Sequence, residues 1–343
     1  MLRPFEGFTR GVDLGGWLSQ CDHREETYAN FITEADFAQI KAWGLDHVRV
    51  PFDVELLETR DGTRLESGFA HLRRAVDWAA AHGLNIVLDL HKTYGFSFDA
   101  GERESGFFAD EALQERFCLL WEELARRFGG ETGRVAFELL NEVTDKAFSA
   151  KWNAVAARCV ERVRRIAPRV WILLGSYWNN SIDALPDLDP PADDRIVYNF
   201  HCYEPLVFTH QGAYWVDRMD PWFRLPVTAT YGELAAHTER VLGKPLTCVS
   251  DFDPAESLGA AYFERFLAKA VKVAEERGVP LYCGEYGVID LASPADTVEW
   301  YRMIHRAFER YGIGRAAWNW RKMDFGLTDP HLDGVREELI PLL

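Results

Sequence analysis

The stretch Val135-Ala-Phe-Glu-Leu-Leu-Asn-Glu142 is a short apolar run that ends in two polar residues. Helical patterns flank it, from Ala112 to Phe128 on one side and from Ala150 to Ile166 on the other. A buried strand between two amphipathic helices is the repeating unit of proteins in which parallel strands are joined by crossover helices. The stretch therefore predicts an α/β fold.

The same alternation extends to both ends of the chain. The predicted strands are Gly11 to Leu14, His47 to Pro51, Asn85 to Leu90, Val135 to Leu140, Val170 to Leu174, Ile196 to Phe200, Leu281 to Gly284 and Ala316 to Trp318. Further helical patterns cover Glu34 to Trp43, Phe69 to His82, Ala260 to Arg277 and Ala295 to Tyr311. Eight strands with intervening helices favour a closed (β/α)8 TIM barrel over an open sheet.

Several of these helical patterns stop at a glycine. The glycines are Gly44, Gly83, Gly129, Gly278 and Gly312. Glycine after a helical run is typical of a left-handed helix cap. Each of the five is therefore predicted to end a helix in that conformation.

One connection breaks the rhythm. From about Glu204 to Gly259 the segment after the sixth strand is far longer than usual, and its aromatic residues are Phe208, Tyr214, Trp215, Trp222, Phe223 and Tyr231. We expect a small helical and aromatic insertion over the active face of a single catalytic barrel domain, residues 1–343, with 204–259 as the inserted subdomain. An aromatic mini-core without ligand contact is the alternative.

Composition narrows the range of partners. Asp and Glu outnumber Lys and Arg by 54 to 38, the formal charge is −16, and no basic stripe occurs. Such a surface would repel nucleic acid and anionic lipid. No apolar run reaches the roughly 18 residues of a membrane helix, and the first residues do not form a signal peptide. The location stays open between the cytoplasm and secretion with the signal removed.

Polar residues end most of the predicted strands. They are Arg49 on the second strand, His91 on the third, Asn141 and Glu142 on the fourth, His201 and Tyr203 on the sixth, Glu285 on the seventh and Trp318 on the eighth. In a barrel the carboxyl ends of all strands open onto one face, which carries the active site. These side chains should therefore meet. Taken alone, each has a structural explanation, such as a helix N-terminus for Asn141-Glu142 or an ion pair of Glu285 with Arg49.

Two carboxylates facing each other across the barrel mouth suit the cleavage of a glycosidic bond. One acid must hold a proton for the leaving oxygen, and the other must be ionised to attack the anomeric carbon. Arg49 and a hydrogen bond from Tyr203 could hold Glu285 ionised, and less polar surroundings could raise the pKa of Glu142. Glu142 is thus the expected proton donor and Glu285 the expected nucleophile.

The remaining strand-end residues suit sugar binding. Asn141 could hydrogen-bond a sugar 2-hydroxyl, and the indole of Trp318 could stack on a pyranose. Asp89 and Glu138 lie on the same strands before the site residues and should face the barrel interior. We interpret both of them as structural.

These residues, in this order, resemble glycoside hydrolase family 5, the cellulase family. The characteristic positions of that family match Arg49, His91, Asn141, Glu142, His201, Tyr203, Glu285 and Trp318. The resemblance covers nearly the whole chain. It implies a retaining β-glycosidase with acid/base and nucleophile on strands four and seven.

Local motifs look like the clostridial endoglucanase C group. They are Arg10-Gly-Val-Asp-Leu-Gly-Gly-Trp-Leu, Phe137-Glu-Leu-Leu-Asn-Glu, Tyr198-Asn-Phe-His, Phe208-Thr-His-Gln, Leu281-Tyr-Cys-Gly-Glu-Tyr-Gly-Val and Trp318-Asn-Trp-Arg-Lys-Met-Asp-Phe. The resemblance implies an endo-β-1,4-glucanase active on soluble cellulose derivatives and mixed-linkage β-glucan, with a helical subdomain in the sixth loop. It also makes Trp215, Phe208, His210 and Trp178 candidates for lining the subsites.

Other functions stay open. The opening motif is also similar to that of exo-β-1,3-glucanases of the same family, and a β-mannanase is a further alternative. A metal-dependent hydrolase using His91, His201, His210 and Glu285 lacks H-x-H or H-E-x-x-H spacing, and the six cysteines lack C-x-x-C spacing. A non-catalytic carbohydrate-binding protein would not need both carboxylates. We expect a monomer that binds a β-glucan and needs neither metal nor cofactor.

Overall fold

Eight parallel strands form the centre of the protein. The computed structural model describes residues 2–99 and 106–343. The strands are β1 Arg10–Asp13, β2 His47–Asp53, β3 Asn85–Lys92, β4 Val135–Glu138, β5 Trp171–Leu174, β6 Ile196–Cys202, β7 Leu281–Tyr286 and β8 Gly314–Ala317. Each pairs with its neighbours in chain order, and β8 pairs with β1. The predicted closed barrel is confirmed, with every predicted strand in place.

Helices surround this barrel. They are α1 Glu25–Asn30, α2 Glu34–Ala42, α3 Val54–Leu57, α4 Glu66–Ala81, α5 Glu111–Phe128, α6 Ser149–Ile166, α7 Tyr177–Asn180, α8 Leu206–Thr209, α9 Tyr231–Leu242, α10 Ala260–Arg277, α11 Pro294–Tyr311 and α12 Arg336–Leu339. The six long helical patterns of the sequence are confirmed as α2, α4, α5, α6, α10 and α11. Within the described ranges, no helix is long and apolar enough to cross a bilayer.

Four of the five glycines that follow a helical run have the expected left-handed backbone. Their φ angles are 81° at Gly44, 65° at Gly83, 65° at Gly278 and 67° at Gly312. Gly129 is the exception and corrects the prediction, because its φ is −68°. A Cβ there would lie 2.4 Å from the Cβ of Ala167. Glycine is needed at this position for close packing rather than for a left-handed turn.

The barrel interior is layered because alternate residues of each strand point inward. At the amino ends of the strands, Val87, Ala136 and Val197 form an apolar layer closed by Phe5 and Phe8. Residues two positions further along are polar and fully buried: Asp89 on β3, Glu138 on β4 and Asn199 on β6. Two positions further again come His91 and His201. The polarity of the interior therefore increases toward the carboxyl ends of the strands.

The long connection after β6 carries helices α8 and α9. Helix α9 begins with a capping box, in which Thr230 accepts from the backbone N–H of Glu233 and Glu233 accepts from the backbone of Thr230. The start of the connection is tied to the barrel by Trp300, whose Nε1 donates to the carbonyl of Glu204 over 3.0 Å. Local packing thus gives this segment its own helical structure.

Helix α4 offers a test of its packing against α3. Gly68 is buried in this helix, and a Cβ built on it would lie 1.7 Å from the carbonyl oxygen of Leu56. Glycine to alanine normally stabilises a helix interior by about 1 kcal/mol. We expect Gly68→Ala instead to lower the free energy of unfolding by about 1–3 kcal/mol, because backbone must shift.

Urea denaturation measures this change, and Ser67→Ala is the matched control. Ser67 is exposed on the same turn of α4, so its replacement should change stability by less than about 0.5 kcal/mol. Equal stability of the two variants would contradict the packing argument.

Candidate active site

The centre of the site is the guanidinium group of Arg49, which β2 places inside the barrel with no exposed surface. Its nitrogens bind oxygens of five side chains. The distances are 2.7 and 2.9 Å to Glu138, 3.0 Å to Asp13, 3.0 Å to Asp89, 2.8 Å to Asn141 and 2.9 Å to Glu285. One cation therefore orients residues from β1, β3, β4 and β7 together.

Four carboxyl groups around one guanidinium group are an excess of negative charge. Burial raises the pKa of Asp13 well above its usual range, and it raises the pKa of Asp89 to about 7 and that of Glu138. Desolvation disfavours the charged form of an acid, and Arg49 only partly offsets it. Protons are consequently shared within this group near neutral pH. Asp89 and Glu138 face the interior, as the sequence predicted.

Glu285 lies at the end of β7 with both oxygens engaged. Oε1 accepts from Arg49, and Oε2 accepts from the hydroxyl of Tyr203 over 2.9 Å. Both oxygens of Glu285 therefore act as hydrogen-bond acceptors. The two partners expected from the sequence are therefore in contact with Glu285.

Glu142, four residues beyond the end of β4, has different partners. Its Oε1 lies 2.7 Å from Nδ1 of His201, and its Oε2 accepts from Nδ2 of Asn179 over 2.7 Å. Burial raises the pKa of Glu142, while the hydrogen bond from Asn179 opposes that rise. Burial also lowers the pKa of His201 to about 4, so this imidazole is neutral at neutral pH.

The two carboxyl groups are close together. One oxygen of Glu142, one oxygen of Glu285 and a ring nitrogen of His201 all lie within 4.8 Å of one another. Retaining glycosidases place their two carboxyl groups about 5–5.5 Å apart, whereas inverting enzymes leave a gap of at least about 6.5 Å for water. The separation of the two carboxyl groups in this protein matches the shorter of these two spacings.

Two aromatic rings are stacked at the carboxyl ends of β3 and β8. The indole of Trp318 is parallel to the ring of His91, with an interplanar angle of 2° and centroids 5.9 Å apart. A Cβ on Gly15 would lie 2.4 Å from this indole, so glycine leaves room for it. Asn319, next to Trp318 in the chain, holds Gly15 beside the indole through two hydrogen bonds with the Gly15 backbone, of 2.9 and 3.1 Å.

Asn179 and Asn180, on the connection after β5, are site residues that sequence reasoning missed. Asn180 donates to the carbonyl of Asn141 over 2.8 Å and lies 3.2 Å from Nε2 of His201. Asn319 and Asp13 were also missed. The adjacent asparagines after a strand were a usable signal, because asparagine accepts left-handed backbone more readily than most residues.

The candidate subsite residues differ in position. Trp215 is partly exposed, and its ring packs against His210 with centroids 5.9 Å apart. His210 is buried between Tyr203 and Phe325. Trp178 is 50% exposed. Phe208 has no exposed surface and belongs to the hydrophobic core, so it supports the cleft from below and cannot line it. That corrects its expected place at the surface of a subsite.

Glu142, His201 and Glu285 are also the one group within the described residues whose ligand atoms converge closely enough for a metal ion. Nδ1 of His201 faces a carboxylate oxygen, and its Nε2 faces the amide nitrogen of Asn180. Nδ1 therefore carries the proton and has no lone pair for a metal. This chemistry disfavours the metal-dependent alternative.

A barrel that brings two carboxyl groups to this spacing has the arrangement that cleavage of a glycosidic bond requires. The chain matches the family model of cellulase (glycosyl hydrolase family 5) over residues 11–324. It therefore belongs to glycosyl hydrolase family 5 and is a glycoside hydrolase of the cellulase class, which confirms the resemblance seen in the sequence.

Individual relatives agree with this membership. The chain is 47% identical over 309 residues to cellodextrinase A of Ruminococcus flavefaciens, covering 90% of this chain and 84% of that protein. It is 36% identical over 340 residues to endoglucanase C of Acetivibrio thermocellus, covering 98% of each. Its fold is similar to the crystal structure of endoglucanase Cel5A from Thermotoga maritima, with a TM-score of 0.77, 23% identity, and coverage of 98% and 97%.

The shared protons around Arg49 lead to a pH-dependent stability. The folded-state pKa of Asp89 is about 7, whereas an aspartate in an unfolded chain titrates near pH 4, at about 3.9. Between these values the folded protein binds a proton that the unfolded chain releases. Asp89 therefore makes its whole contribution to stability below the lower pKa. This contribution declines as the pH rises from the lower pKa through the upper pKa, by at most about 1.4 kcal/mol per pH unit.

Asp89→Asn should remove that decline, because asparagine does not titrate. We expect the free energy of unfolding of Asp89→Asn minus that of the original protein to increase steadily from about pH 4.5 to about pH 7, which is the range between the two pKa values. Urea denaturation at several pH values measures it, with an unchanged dependence on urea concentration as the control for two-state unfolding. A difference independent of pH would contradict the raised pKa.

Proposed function

We propose that this protein is a retaining, endo-acting β-glucanase that hydrolyses β-1,4 bonds by double displacement. The observation that carries the proposal is the pair formed by Glu142 and Glu285, whose nearest ligand atoms lie within 4.8 Å but whose partners differ. Two acids with different surroundings can hold different protonation states, which is what this mechanism requires.

Glu142 is the proposed acid and base. Its raised pKa, caused by burial, favours the protonated form that can give a proton to the leaving oxygen. Once the leaving sugar departs, the ionised Glu142 accepts a proton from the water that attacks the anomeric carbon. Neutral His201 donates to Oε1 and stabilises Glu142 when it is ionised.

Glu285 is the proposed nucleophile. Its carboxylate forms a bond to the anomeric carbon as the bond to the leaving oxygen breaks, which gives a glycosyl-enzyme. Arg49 and Tyr203 hold the two oxygens from opposite strands, so one orientation of the carboxylate is fixed before substrate arrives. Hydrolysis then releases the sugar with its original anomeric configuration.

The sugar in the cleaved position would stack on Trp318, and Asn141 would reach its 2-hydroxyl. Oδ1 of Asn141 accepts from Arg49, and its amide nitrogen, 3.5 Å from Nε2 of His91, is the donor that would face the sugar. Trp215 and Trp178 are partly or largely exposed and are the proposed outer contacts. We also propose that residues 204–259 form a subdomain over this face of a single-domain monomer.

The substrate proposal draws on the relatives. Endoglucanase C is a relative matched over 98% of its length, and its name supports an endo-acting glucanase. Cellulose derivatives and mixed-linkage β-glucan are the substrates that we propose. A second candidate is the cleavage of short cellodextrins, which the 47% identity to cellodextrinase A favours. Exo-β-1,3-glucanase and β-mannanase activities are the remaining alternatives within the family.

The first test separates the two glutamates. Glu142→Gln should lose about 10²–10⁴-fold of its turnover on a natural glucan, because it cannot transfer a proton. It should still cleave the first bond of dinitrophenyl cellobioside, whose leaving group needs no proton. Glu285→Gln should lose activity on both substrates, since it cannot form the glycosyl-enzyme.

Glu6→Gln, at the exposed amino-terminal end of the barrel, is the matched control. Near-normal turnover of Glu285→Gln on a glucan would rule out the assignment of the nucleophile.

The second test determines the substrate and the stereochemistry. We expect a rapid loss of viscosity and mixed short oligomers from carboxymethylcellulose and barley β-glucan, with little release from laminarin or β-mannan. Proton NMR of the first products should show the β anomer, since the short carboxyl separation favours retention. Activity confined to cellodextrins would select the second candidate, and an initial α anomer would contradict the mechanism.

A further inference from the structure

The short segment α7, in the connection after β5, is a left-handed backbone turn rather than a regular right-handed helix. Trp178, Asn179 and Asn180 have φ angles of 53°, 56° and 57°, so three consecutive residues other than glycine are left-handed. Such conformations cost energy in L-residues and persist where the surrounding structure enforces them, often at functional sites. The turn therefore needs an explanation in terms of its contacts.

Those contacts join the turn to the end of β4 on both sides of Glu142. The backbone N–H of Asn179 donates to the carbonyl of Val143 over 3.0 Å. The side chain of Asn180 donates to the carbonyl of Asn141 over 2.8 Å. A Cβ on Gly175 would lie 1.9 Å from Oδ1 of Asn180, so only glycine leaves room for this packing. The turn thus holds the residues before and after Glu142.

Both oxygens of Glu142 depend on the same turn. Oε2 accepts directly from Nδ2 of Asn179 over 2.7 Å. Oε1 accepts from His201, whose other ring nitrogen faces the amide nitrogen of Asn180 at 3.2 Å. An amide that donates to Nε2 leaves the ring proton on Nδ1, where it points at Glu142. Asn180 is fully buried, whereas Asn179 is exposed at the open cleft.

We propose that Asn179 is a positioning residue for proton transfer. Its amide fixes the orientation of the Glu142 carboxyl group and stabilises the negative charge that develops on Oε2 as the proton moves to the leaving oxygen. Asn180 acts on Oε1 indirectly, because it holds His201 in the tautomer that donates to this oxygen. This inference rests on the proposed role of Glu142 as acid and base, and the left-handed turn places both asparagines for it.

Several other charges act on Glu142, so the effect of Asn179 must be separated from theirs. The titratable and charged groups that act on Glu142 come from four strands and the connections after them. They are Arg49 on β2, Asp89 and His91 on β3, Asp99 in the connection after β3, His201 and Tyr203 at the end of β6, and Glu285 on β7. The hydrogen bond from Asn179 opposes the rise in pKa caused by burial. Loss of this donor should therefore make Glu142 a weaker acid with a higher pKa.

Asn179→Gly tests the proposal without disturbing the backbone, because glycine adopts the left-handed conformation freely. We expect kcat/KM on cellotetraose or carboxymethylcellulose to fall about 10–100-fold, as for the loss of a hydrogen bond to a developing charge. The alkaline limb of the pH profile should move to higher pH. Release of dinitrophenol from dinitrophenyl cellobioside in the first turnover should stay near the original rate.

Two further variants keep the result interpretable. Lys322→Gly also places glycine at an exposed left-handed position, with φ of 56°, and it should change neither the rate nor the pH profile. Asn179→Asp preserves the size of the side chain and replaces the donor by an acceptor. We therefore expect kcat/KM to fall further in this variant than in Asn179→Gly. Thermal unfolding of all variants checks that the fold is retained.

The opposite results are equally definite. If Asn179→Gly lowers kcat/KM equally on both substrates, or leaves the alkaline limb unmoved, the residue acts on structure or binding and the proposal is overturned. Glu142→Gln serves as the reference for the proposed function itself. If that variant shows a leaving-group dependence and Asn179→Gly does not, only the role of Asn179 fails; if neither shows it, the role of Glu142 fails.

Discussion

The guanidinium group of Arg49 lies where the polar interior of the barrel meets the open cleft, and the geometry of the site depends on it. It binds the buried Glu138 and Asp89 below and Asn141 and Glu285 above. A buried ion network of this kind adds little net stability, because desolvating the charges cancels most of their attraction. Removing the single cation would nevertheless leave several buried acids uncompensated. The arrangement therefore serves to orient the acids rather than to stabilise the fold.

Strain is distributed around the same centre. Among the residues that the structure describes, two runs of three left-handed residues other than glycine occur, 178–180 after β5 and 322–324 after β8. The second carries Met323, whose sulfur would lie 3.0 Å from a Cβ on Gly16 and whose side chain packs against the cluster that contains Trp318. Each left-handed residue costs about 1–2 kcal/mol. The barrel wall supplies the rigidity that keeps both turns in place.

The sequence predicted the eight strands, the six long helices and the convergence of the strand-end residues, because periodicity and strand order determine where inward side chains meet. It did not predict residues whose role depends on irregular backbone. Asn179 reaches Glu142 only through a turn that pattern reading treats as loop. The predictions for Gly129 and Phe208 were wrong for a related reason. The close packing at Gly129 and the burial of Phe208 depend on neighbours that are distant in the sequence, such as Ala167 beside Gly129.

The connection after β6 packs against the site through His210. Its aromatic residues divide into a buried set, in which Tyr231 stacks on Phe252 with centroids 4.5 Å apart, and an exposed set, in which Tyr214 and Trp222 are 83% and 86% exposed. The buried set packs as a small aromatic cluster inside the segment. Between them, Trp215 packs on His210, which packs on Tyr203 beside Glu285. Substitutions of the exposed rings can therefore leave the acids and Arg49 unchanged, so the surface of this connection can vary while the chemistry of the family is kept.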